Sequence, residues 1–178
     1  MRKRDTRDIY DLLAEDDTSL LAKIPERLKK FNVDPDWHER RKENFEEMKR
    51  LRASAANMWR KLVALDGWDV VNNFTEQDEK NIVRRGALLK PKKVSNIRGA
   101  HYNDCHTGSL AHWKQHPDRL ILYTGAYMGK NGMWRPHSWN LDPATNTIIE
   151  ATPNRGRLYF GYALTRKEAE QAATQGWR

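Results

Sequence analysis

A chain of 178 residues, 38% hydrophobic and 31% charged, is the size of one domain or of one domain with a helical appendage, and its seven tryptophans argue against wholesale disorder. A single cysteine excludes an internal disulfide, and no apolar run approaches the roughly 20 residues of a membrane span, so the expected setting is the reducing cytoplasm with no membrane association. The formal charge of +8 is spread along the chain rather than gathered in a block, which argues against a specific nucleic-acid binder.

The opening "MRKRDTRD" is basic but lacks the apolar stretch that export needs, and it reads as a solvated lead-in to a helix. "TRDIYDLLAED" and "DTSLLAKIPERLKKF" then place apolar residues at helical spacing, with Thr6 and Asp17 as caps and Pro25 splitting or kinking the second segment. From Asp34 to the neighbourhood of Gly67, the spacing of Trp37, Phe45, Met48, Leu51, Ala55, Met58 and Leu62 predicts one long amphipathic helix over residues 34–66. Its apolar face is either core or a surface for a protein partner. "TEQDEKNIVRRGALL" reads as a shorter helix, and "KPKKVSNIRG" as a connection.

After residue 92 the pattern changes. A helix beginning at Cys105 and stopped by Pro117 is followed by strand-like runs, "RLILYTGAYM", "MWRPHSWNLD", "TIIEAT" and "RLYFGYAL", and by a closing helix capped by Thr165. The expected fold class is α+β, with a helical region over 1–92 and a core of one cysteine-bearing helix and an antiparallel sheet over 93–178.

Cys105 is the chemical focus of this half. A thiol acts as a nucleophile only as thiolate, and the unpaired N–H groups of a helix start favour that anion. Asn103 or Asp104 caps the helix and places Cys105 in its first turn. In "HSWNLDPATNTIIEAT" the turn "PATN" sets Asp142 opposite Thr147, and therefore Trp139 opposite Glu150. Alternation then puts His137 and Trp139 on the face of Glu150, with Asn140 and Asp142 on the other. The expected triad is Cys105, His137 and Glu150, the carboxylate holding the imidazole in one tautomer. A bulge near Asp142 would make Asn140 the third member instead. The N–H of Cys105, aided by Asn103 or Tyr102, is the natural oxyanion donor, and Trp139 and Trp134 are placed to cover the site.

Cys105, "HSW" at 137–139 and "IIEAT" at 148–152 together resemble the transglutaminase-like branch of papain-like cysteine enzymes, and "YFGYAL" at 159–164 is similar to the next strand of its small bacterial and phage members. The resemblance covers about a third of the chain. Glu150 stands where the family usually has Asp, Ser138 where Ala is common, and "ATPN" replaces its Asp-Pro-Thr continuation. It implies a papain-like core, no cofactor, and thiol attack on an amide of a protein glutamine or a peptide, with His137 as base and then acid. Two other readings stand beside it: a non-catalytic protein that binds a protein or nucleic-acid partner through its helical basic surface, and a zinc protein using Cys105, His112 and His116 on one helix stripe. The zinc reading has the His spacing of a helical motif but no accompanying glutamate.

Overall fold

The computed structural model describes residues 17–71, 73–97, 99–100, 104–153 and 156–176, the side chain of His38 excepted. The expected helix at "TRDIYDLLAED" and its cap Thr6 lie outside the described residues. The chain divides into two compact units, Met1–Val83 with Lys130–Trp134, and Arg84–Gly129 with Arg135–Arg178.

In the first unit Pro25 does split the second segment. Helix α1 (Asp17–Ala22) ends before it, and Pro25 sits in the first turn of α2 (Ile24–Lys30), where no intrahelical N–H is needed. The single helix expected over 34–66 is instead two, α3 (Trp37–Leu51) and α4 (Ala53–Leu65), separated by an extended Arg52 at φ −151° and ψ 87°. The break has a tertiary cause. Glu79, wholly buried on α5 (Glu76–Arg85), accepts from the Arg52 guanidinium and from Ser54 Oγ at 2.7 Å, while Arg52 also donates to Phe74 O. A buried carboxylate requires such partners, and a continuous helix would not present both. Phe45 on α3 meets Trp59 on α4 with ring centroids 4.5 Å apart. Burial of such side chains contributes about 1.5–3 kcal/mol each. Trp37 and Leu51, from the same predicted stripe, are left exposed. Strand β1 (Asp69–Val70) closes the unit by parallel pairing with Met133 and Trp134.

The second unit is α+β, as the strand and helix patterns require. Its strands run in the order β2 (Ala87–Leu89), β7 (Leu158–Ala163), β4 (Ile121–Met128), β5 (Met133–Asp142), β6 (Thr147–Glu150) and β3 (Lys93–Asn96). The sheet is mixed where an antiparallel one was expected, because "KVSN", read as a connection, forms β3 parallel to β6. Likewise "ALL" at the end of the expected helix is the antiparallel strand β2. Both segments are short edge strands with little periodicity of their own, ordered by the neighbour they join. Helices α6 (Cys105–Gln115) and α7 (Arg166–Gln175) bury Leu110, Trp113 and Ala169 against Leu120 and Leu122. Thr165 and Glu168 form a full capping box on α7. A second cluster gathers Trp139, Ile148 and Tyr159.

Candidate active site

Cys105 is the first residue of α6, with Asp104 as N-cap; the Asp104 carbonyl accepts the first helical bond from Gly108 N at 2.8 Å. Gly108 is what lets this helix start close on the sheet. A Cβ there would stand 2.8 Å from Ala151 Cβ, immediately beyond the end of β6, so any side chain would lever the thiol away from the strand carrying Glu150.

The β5–β6 hairpin has the register that its turn dictates: Asp142 pairs with Thr147 and Asn140 with Ile149. His137 and Glu150 consequently meet, with Nε2 2.7 Å from Glu150 Oε2, and both are buried. The other carboxylate oxygen accepts from Tyr159 Oη at 2.6 Å, and Tyr159 Oη in turn accepts from Gly156 N at 3.0 Å. Rings enclose the imidazole: Tyr127 at 4.4 Å, Trp139 at 6.0 Å and Tyr159 at 6.4 Å between centroids. Trp139 owes its seat to Gly161, where a Cβ would meet the indole at 2.7 Å.

The half-buried Cys105 thiol lies within electrostatic reach of two imidazoles, His106 and His137. Burial pushes the thiol up, but the bonds and positive charge of His106 and His137 outweigh it and bring it down to about 6. Burial pushes His137 down, and its bonds to Cys105 and Glu150 outweigh that penalty and raise it to about 9. The pair therefore favours thiolate and imidazolium over thiol and neutral ring at neutral pH. With Nε2 taken by Glu150, Nδ1 is the nitrogen that remains for the sulfur. Burial and the Glu150 charge hold the Tyr159 phenol far above its usual range, so it stays a donor.

The structure thus brings together Cys105, His137, Glu150 and Trp139. Asn140, the alternative third member, points away: its Nδ2 donates to Ser109 O on α6 at 2.9 Å, because alternation without a bulge turns it to the other face. Trp134 also has other work, donating its indole N–H to Asp66 O at 2.7 Å in the first unit. Tyr102 and Asn103, expected as oxyanion aids, lie outside the described residues. The zinc alternative is corrected. Among the described residues no three His, Cys, Asp or Glu side chains gather into a metal-holding group. Cys105 and His112 are seven residues apart, about 10 Å along a helix axis, and His112 instead meets His116 edge to face. Reasoning from sequence missed His106, Tyr127 and Tyr159. The adjacent Cys-His pair was the one visible signal for the first, and Tyr159, nine residues after Glu150, gave none until β7 was placed.

Compared with protein-family models, with curated proteins and with solved structures, the chain matches none.

Proposed function

We propose that the protein is a cysteine-dependent hydrolase or acyltransferase acting on an amide, of the transglutaminase-like kind, through Cys105, His137 and Glu150. The observation that carries this reading is the buried His137 imidazole, bonded on Nε2 to a buried carboxylate at 2.7 Å, with the helix-start thiol of Cys105 near enough for each group to shift the other's titration. The Cys105 thiolate attacks the amide carbon, forming a C–S bond. The carbonyl oxygen gains charge next to the unpaired N–H groups of the α6 start. As the C–N bond breaks, the His137 imidazolium gives its Nδ1 proton to the leaving nitrogen, and ammonia or an amine departs. Water or an amine then releases the acyl group from sulfur. Glu150 keeps the ring in one tautomer and balances its charge, and Tyr159 keeps Glu150 in place. The substrate is a glutamine side chain or a peptide amide, no cofactor enters these steps, and the compartment is the cytoplasm, where a lone thiol stays reduced.

Incubation with glutamine-bearing peptides, with ammonia release and peptide cleavage measured for the protein and for Cys105→Ala, tests the reading. The expected result is turnover that disappears in the variant. No turnover, together with alkylation of Cys105 by iodoacetamide no faster than that of free cysteine, would sink it.

A second reading, a protein partner bound through residues 34–66, is favoured by the exposure of Trp37 and Leu51. Leu51 also borders a cavity of about 580 Å³ in the first unit, lined by Arg41, Met48, Arg52, Asp69 and Met133 among others. The two readings are compatible, since they use different units.

A further inference from the structure

Asp104 stands at the N-cap of α6 but its side chain makes no capping bond, and Gly108 adds backbone freedom at the end of the first turn. Such a helix start frays unless something outside the helix holds it. Here the hold comes from the sheet. His106 Nδ1 lies 2.7 Å from Oγ of Ser138, which is wholly buried on β5 and donates its hydroxyl proton to Thr124 Oγ1 on β4 at 3.1 Å. A serine hydroxyl has one proton, so the bond with the histidine runs from Nδ1–H to Ser138 Oγ. In the next turn Ser109 Oγ donates to Ser138 O and Asn140 Nδ2 donates to Ser109 O, both at 2.9 Å, which fastens that turn to the same strand. His106 directly follows Cys105, and Ser138 directly follows His137. The 2.7 Å bond therefore joins the chain neighbours of the thiol and of the imidazole, each about 3.8 Å away at Cα.

We propose that His106 and Ser138 are positioning residues whose bond pins the first turn of α6 to β5 and so sets the distance between the Cys105 sulfur and the His137 imidazole. This rests on the reading of Cys105 as nucleophile. Neither residue moves a proton in the reaction; both act through the pair they hold. The attraction between thiolate and imidazolium falls with distance, and a displacement of about 1 Å at a reacting group costs about a hundredfold in rate. Without the pin, the uncapped turn loosens at Gly108, the sulfur spends less time against His137, and the thiol returns toward its ordinary titration. The bonds of Ser109 and Asn140 remain in that event, so the helix stays docked and the loss falls on the thiol.

The test is iodoacetamide alkylation of Cys105 in the full chain across pH, with urea unfolding run on the same variants. Ser138→Ala removes the acceptor and leaves the imidazole in place, His106→Leu removes the donor, and His106→Asn keeps a donor nitrogen at the δ position. In Ser138→Ala the midpoint of the alkylation profile is expected to rise by about two pH units from a parent value of about 6, and the rate at pH 7 to fall about tenfold. His106→Leu shows at least the same shift, and His106→Asn recovers most of it. Ser138→Ala carries the test alone should His106→Leu not fold. A merely structural role lowers the urea midpoint and leaves the pH profile where it is; that result, or a parent-like profile in Ser138→Ala, overturns the proposal while leaving the triad standing. His106→Asn no better than His106→Leu overturns it too, since the ring and not its bond to Ser138 would then act on the sulfur. If the parent thiol alkylates no faster than free cysteine at pH 7, the nucleophile reading falls and the proposal with it.

Discussion

Tyr159 donates its hydroxyl proton to Glu150 Oε1 at 2.6 Å, so that both oxygens of a wholly buried carboxylate are occupied, one by the phenol and one by His137. Tyr159→Phe removes one partner and leaves a charged oxygen without a bond, and the expected loss is about 1–3 kcal/mol of stability. Urea unfolding measures it. A variant as stable as the parent would mean that another donor replaces the phenol.

Cys105→Ala is expected to abolish turnover while leaving the circular dichroism spectrum and melting temperature close to those of the parent. The thiol is only half buried, and the two imidazoles near it have bonds of their own to Ser138 and Glu150, so little packing depends on it. Unfolding of this variant would make the thiol a core residue.

Glu150→Gln separates charge from shape. It should lower turnover by orders of magnitude and shift the thiolate titration upward, since the imidazolium that stabilises the thiolate loses its counter-charge. Asp142→Ala, whose carboxylate pairs with Arg119 at 2.6 Å, leaves both readouts near the parent values. Equal losses in the two variants would contradict this division.

The pH dependence has two parts of different sign. The folded pKa of His137 is raised to about 9 from 6.5, so its contribution to stability is full below 6.5 and is lost as pH rises through 9. The folded pKa of Cys105 is lowered to about 6 from 9.0, so its contribution is full above 9 and is lost as pH falls through 6. Between 6.5 and 9 the two slopes cancel. Chemical denaturation across this window should show a stabilising contribution from the pair that does not vary with pH, while the iodoacetamide alkylation rate rises with a midpoint near pH 6. A midpoint near that of free cysteine would refute the ion pair.

Gly108→Ala would set a methyl 2.8 Å from Ala151 Cβ and push the start of α6 outward. The expected cost is about 1–3 kcal/mol, with a matching drop in alkylation rate at neutral pH as the thiol leaves His137. Retention of both values would show that Ala151 yields instead.

The hairpin was legible because "PATN" is bounded by alternating strands, so one turn set the pairing of Asp142 with Thr147 and, through it, the shared face of His137 and Glu150. The α7 cap was legible for the same local reason, Thr165 standing three residues before Glu168. What escaped was ordered from a distance. Nothing at Arg52 breaks a helix; Glu79, 27 residues on, does so by recruiting its guanidinium. The β3 strand exists because β6 lies beside it, and the bond between His106 Nδ1 and Ser138 Oγ spans 32 residues, which helix periodicity cannot foresee.

Cys105 leaves the ribosome ahead of the residues that make it reactive. His137 and Glu150 follow 32 and 45 residues later, and Tyr159 later still. Until β5, β6 and β7 have been synthesised and paired, the sulfur has only its neighbour His106 to meet and is an ordinary thiol, largely protonated at neutral pH. The thiol of the nascent chain therefore stays protonated until the sheet is complete, and the rate at which a small alkylating agent labels Cys105 becomes a clock for the completion of folding.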